Sequence, residues 1–255
     1  MLEKEGANLP FPPELAHGQV HYNRGLKADD NTSIIPDLSF VFVANNDSPD
    51  PICPVICQIT FNTGFEAAQK EVQSLAKANP SIIMAIIVAI HEVPASYHST
   101  SSFNNTFTPE PLTTGGHTWY SIKTVSYHIW LKDFDGQLNV DADAGDHYAS
   151  YISPGNEGCE KVEALFVLGL TEVKKSIVSF CKAIICEMDS PPDLTPLISH
   201  KTALPISMKS FDGDILRGIK LTGYYRYDSW FTKEFHKGKC HHVEEEQTMR
   251  RPRRV

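Results

Sequence analysis

Several groups of side chains in this 255-residue sequence have the right types to do chemistry. Asp133, Asp135, Asp141, Asp143 and Asp146 are close enough in sequence to suggest a Ca²⁺ loop. The spacing fails the EF-hand template, which needs a glycine at the sixth position and a glutamate at the twelfth. The run reads instead as the solvated tip of a hairpin. Cys240-His241-His242, with His236 nearby, supplies metal-ligand types. It lacks the second ligand pair of a structural zinc site and reads as part of a polar tail. Cys53 and Cys57 lie in one extended segment, where four residues span about 13 Å, beyond disulfide reach. With Cys181 and Cys186 they read as core filler. Tyr224-Tyr225-Arg226-Tyr227 and Trp230-Phe231 mix aromatics with a cation, as single-strand-stacking surfaces do, but in a strand such residues pack into a core. The Arg250–Arg254 tail resembles a nuclear address or nucleic-acid patch and reads more simply as a solvated terminus. No Ser-His-Asp order, phosphate-binding glycine loop or dinucleotide fingerprint is present. One layout is left, the stretch in which the acidic Asp37 opens an apolar run.

The elements around Asp37 span Ile35 to Glu92. Pro36 to Val43 reads as a strand, alternating to Phe40 and then wholly apolar. Asn45 to Pro51 is rich in turn residues, and Pro54 to Phe61 returns as a second strand, making an antiparallel hairpin with a long tip. Phe65, Ala68, Val72, Leu75 and Ala76 recur at helical spacing from Gly64 to Lys77, and Asn79-Pro80 ends that helix. Ser81 to Ile90 has no alternation and is expected to be a strand covered on both faces. A strand–helix–strand crossover places it parallel to another strand of the same sheet.

The rest of the chain decorates this unit. Residues 1–17 are a Pro-rich irregular lead-in, with a candidate strand at Gly18–Gly25. A Ser/Thr/Asn/Pro-rich insertion at 94–116 is expected to be a long surface loop. Trp119–Lys132 and Gln137–Ala142 read as a hairpin around Asp135-Gly136. Glu160–Met188 is the longest helical pattern, stopped by Pro191-Pro192. Short strands are expected at Leu204–Lys209 and Ile215–Tyr227, with a turn at Asp212-Gly213. The expected fold is α/β: a mixed central sheet with an antiparallel hairpin, crossover helix and buried parallel strand, plus a C-terminal helix and strands. A single domain covers 18–235, followed by a disordered charged tail at 236–255.

Composition narrows the class. Hydrophobic residues at 41% and charged ones at 21% are ordinary for a globular chain. The net charge of −8 argues against a surface built mainly for nucleic acid, leaving only a local basic groove as a route to that partner. The N-terminal Met-Leu-Glu-Lys-Glu-Gly is unlike a secretory signal. The apolar run Ile82–Ile90 is about half the ~20 residues a membrane span needs. An intracellular chain, cytoplasmic or nuclear, with reduced thiols and no membrane partner is expected.

Pro36-Asp37, then Pro54-Val55-Ile56-Cys57-Gln58-Ile59, then Asn62-Thr63-Gly64-Phe65-Glu66, then Ile82–Ile90, resembles the core of the PD-(D/E)XK nuclease-like superfamily, and most closely its uncharacterised fungal branch. The resemblance covers about residues 18–92 and implies a restriction-endonuclease-like fold. In active members an Asp and a Glu on paired strands bind Mg²⁺, and a Lys two residues beyond the Glu assists the attacking water. Hard divalent ions prefer anionic oxygens, the metal activates water, and residues i and i+2 of a strand share a face. This chain keeps Asp37 but has Gln58 and Thr60 at the Glu and Lys positions. The expectation is a catalytically degenerate nuclease-fold protein that binds a nucleic acid or a protein. The alternative is a Mg²⁺-dependent endonuclease with Asp37 and Gln58 as ligands, Lys70 as the migrated cation and Glu66 as the nearest replacement acid.

Overall fold

A computed structural model describes residues 10–46, 49–62, 64–93, 112–114, 117–140, 145–155, 157–186, 188–203 and 207–249. Its strands are β1 (Ala16–Tyr22), β2 (Leu26–Lys27), β3 (Ser33–Ile34), β4 (Leu38–Ala44), β5 (Ile52–Phe61), β6 (Met84–Glu92), β7 (Leu112–Thr114), β8 (His117–Tyr120), β9 (Ile122–Leu131) and β10 (Tyr148–Ser153). Its helices are α1 (Phe65–Ala78), α2 (Cys159–Ile185), α3 (Thr195–Ser199) and α4 (Met208–Met249), with a 3-10 turn at Gly145–His147. Packing divides the chain into two compact units, residues 1–91 with 124–212 and residues 92–123 with 213–255, where one domain over 18–235 is expected.

The main sheet has six strands in the order β1-β4-β5-β6-β9-β10. β4 and β5 form the expected antiparallel hairpin, with Leu38 opposite Cys57 and Phe40 opposite Val55. β5 runs parallel to β6 in continuous register from Val55–Met84 to Phe61–Ile90. A parallel pair requires a crossover, and α1 provides it. Every residue of β6 from Met84 to Ile90 is buried, because both faces are covered. On one face α1 contributes Ala68, Val72 and Leu75 to a core with Val41, Ile56, Ala85, Ile87 and Trp130. On the other, the Phe180 ring of α2 meets Phe42 edge-on at 5.8 Å. A Cβ added to Gly169 of α2 would lie 2.6 Å from Met84 Sδ and 2.8 Å from Leu131 Cδ2, so any side chain there would make those two side chains shift.

Three expectations fail. Over its described part, Gln137–Val140, the strand expected at Gln137–Ala142 does not form; β9 pairs with β10, Tyr148 opposite Trp130. The Asp133–Gly136 turn is present, with Asp133 Oδ1 accepting the Gln137 amide at 2.7 Å. Beyond it the chain is captured by α1. Gln73 Oε1 accepts the Val140 amide at 2.7 Å, and Gln69 Nε2 donates to the Val140 carbonyl at 2.6 Å. Those side-chain amides supply the partners a strand would have supplied, while Leu138 and Val140 bury their side chains in the α1 core.

The second failure is the pair of C-terminal strands. Residues 204–206 lie outside the described set, and from Met208 the chain is helical. Met208 and Ile219 are buried, and Phe211, Asp212, Ile215 and Leu216 half-buried, a 3.6-residue period masked in sequence by Asp212-Gly213. The first turn is fixed by Glu163, whose Oε1 accepts the Met208 amide at 2.8 Å, and by Tyr151, whose hydroxyl donates to Asp212 Oδ2 at 3.0 Å. Helix also continues through Met249, where an irregular tail is expected. Third, Cys186 is exposed rather than in the core; Cys53 and Cys181 are buried and Cys57 half-buried, all free thiols.

Other expectations lie wholly or partly outside the described residues. Of the insertion at 94–116, residues 94–111 and 115–116 are not described, and 112–114 form β7. Asp141, Asp143 and Arg250–Arg254 are likewise not described, nor are the side chains of His236 and Cys240–His242. Among the described residues no helix is long and apolar enough to cross a membrane.

The tightest backbone constraint is Gly158, which opens α2 at φ +82°; a Cβ there would lie 2.2 Å from the Ser150 carbonyl oxygen. Gly158→Ala is expected to lower the unfolding free energy by about 2 kcal/mol or more, because positive φ and backbone overlap both penalise it. Gln73→Ala, which leaves the Val140 amide unpartnered, should cost about 1–3 kcal/mol. Urea unfolding followed by circular dichroism measures both; an unchanged midpoint in either variant contradicts its role.

Candidate functional site

Asp37 immediately precedes β4 and is half-buried. Side chains alternate across a strand, and directly opposed residues of an antiparallel pair share a face. With Leu38 opposite Cys57 and Ser39 opposite Ile56, Asp37 and Gln58 fall on the face that carries Ile56 and α1. The expected pairing of these two residues on one face therefore follows from the register.

The rest of the expected site does not assemble. Asp37 Oδ2 accepts the Ile59 backbone amide at 2.6 Å, and the Asp37 carbonyl receives the Asn23 amide. β4 begins only at Leu38, whereas β5 runs on to Phe61. The carboxylate therefore stands where a continued β4 would have offered a carbonyl, and it terminates the ladder as a charged cap. Such charge-assisted bonds are roughly twice as strong as neutral ones. Behind it, burial first and the Asp37 charge second push the Cys57 thiol up to about 12, so this cysteine is a packed thiol and not a nucleophile.

Gln58 is half-buried and brings a neutral amide oxygen. Thr60 is buried, and its hydroxyl has no hydrogen-bond partner among the described residues. It lies against the turn into α1, where a Cβ on Gly64 would approach Thr60 Cβ to 3.1 Å. Lys70 and Glu66 are both exposed. Lys70 sits two residues from Ala68 and from Val72, about 200° around the helix from each, and those two face the sheet. The migrated cation and the replacement acid therefore lie on the outward side of α1, away from Asp37 and Gln58.

Would these residues hold Mg²⁺? The donor set is one carboxylate, already bonded to an amide, and one neutral amide oxygen. Magnesium is held in proteins through carboxylates together with waters and substrate phosphates, in near-ideal octahedral geometry. No group of three or more His, Cys, Asp or Glu among the described residues could hold a metal ion. The residues present do not fit the group.

A different polar constellation, outside the expected site, occupies the same face. Ser126, His128 and Trp130 alternate along β9, so they share a face. His128 Nε2 lies 3.2 Å from Ser126 Oγ, and Nδ1 lies 2.8 Å from the Tyr148 hydroxyl. The ring is enclosed by Phe65 (4.4 Å between centroids), Trp130 (5.8 Å) and Tyr148 (6.1 Å). The alternation was legible in sequence. The Tyr148 partner was not, because β10 was not expected.

A serine bonded to a histidine is the pairing used in nucleophilic catalysis. Two facts oppose that use here. Ser126 is buried, and burial, with the neighbouring His91 a smaller contribution, holds His128 down to about 4. A general base works best with a pKa near the operating pH. The chain of hydroxyl, imidazole and phenol instead satisfies polar groups inside an aromatic nest.

That arrangement has a pH signature. The folded state keeps His128 neutral down to about pH 4, while the unfolded chain takes up its proton near 6.5. Between those values the unfolded state binds more protons, so the His128 contribution to stability falls as pH drops from about 6.5 to 4 and is level above. The full loss is on the order of 3 kcal/mol. Urea midpoints between pH 4 and 7 should fall more steeply with acid in the wild type than in His128→Phe; identical slopes would contradict the buried neutral imidazole.

No family model, curated protein or solved structure matches this chain.

Proposed function

We propose that this chain is a catalytically degenerate protein on a nuclease-like α/β scaffold that acts by binding a macromolecule, not by hydrolysing phosphodiesters. The observation that carries the proposal is the engagement of Asp37, the one retained acidic position, as a cap on the Ile59 amide. Gln58 brings no charge to a metal, and Lys70 is exposed on the outward side of α1. A Mg²⁺-dependent endonuclease built on Asp37, Gln58 and Lys70 would need these three to converge, and this geometry counts against it. The six-stranded mixed sheet with its hairpin and crossover agrees with the scaffold half of the proposal. The net charge of −8 weighs against duplex DNA as the partner.

Purified protein incubated with plasmid and single-stranded DNA in Mg²⁺ or Mn²⁺ is expected to leave both intact. Cleavage that disappears in Asp37→Ala would overturn the proposal. The same variant is expected to lose about 1–3 kcal/mol of unfolding free energy, since it removes a charged acceptor from a backbone amide. Lys70→Ala, on an exposed helix face, should stay within about 0.5 kcal/mol of wild type.

A further inference from the structure

We draw no further inference here: the strongest candidate, the exposed Leu221–Tyr224–Tyr225 stripe on α4, is an unpartnered apolar face, and nothing in the structure shows what covers it.

Discussion

The pairing of β5 with β6 is the constraint on which the rest of this architecture depends. A parallel ladder cannot be closed by a tight turn, so the seven-residue register from Val55–Met84 to Phe61–Ile90 obliges the chain to cross over through α1. Met84, Ile86, Ile87, Val88 and Ile90 are all buried. At about 2 kcal/mol per large apolar side chain, their transfer from water contributes on the order of 10 kcal/mol before entropy is counted. That driving force exists only if both faces are covered. The close approach at Gly169 and the capture of Leu138 and Val140 by the glutamines of α1 are two ways the fold meets that demand.

The same constraint explains the position of Asp37. β5 is fixed along its length by β6, whereas β4 begins only at Leu38. The Ile59 amide would face an empty edge of the ladder without the carboxylate that reaches it. The residue that the resemblance casts as a metal ligand is here occupied with ending a strand. Thr60, at the position of the assisting lysine in the resemblance, is buried beneath the glycine that starts α1. Asp37 ends a strand, and Thr60 packs at the start of the crossover helix.

How much of this was legible beforehand depended on whether the signal was local. The hairpin, α1, the unalternating β6 and α2 follow from periodicity that neighbouring residues carry themselves, and their boundaries differ by at most four residues. Gln137–Val140 departs from the expected strand because its backbone partners are Gln69 and Gln73, about seventy residues earlier. The start of α4 departs from the expected turn because Asp212-Gly213 is a turn signal only in isolation; here Tyr151 bonds Asp212 and Glu163 accepts the Met208 amide at the helix start. At the site, substitution of Gln58 and Thr60 was visible in the residue types alone. The outward placement of Lys70 was implicit in its spacing from Ala68 and Val72. The bond from Asp37 to Ile59 was not visible, since it depends on where β4 stops.

The central claim is that Asp37 caps a strand and does not ligate a metal. Titration of Mn²⁺ into wild-type protein and Asp37→Ala, followed by electron paramagnetic resonance of the free ion, tests it most directly. Identical titration curves for the two proteins are the predicted result. A stoichiometric site in the wild type that vanishes in Asp37→Ala would contradict it.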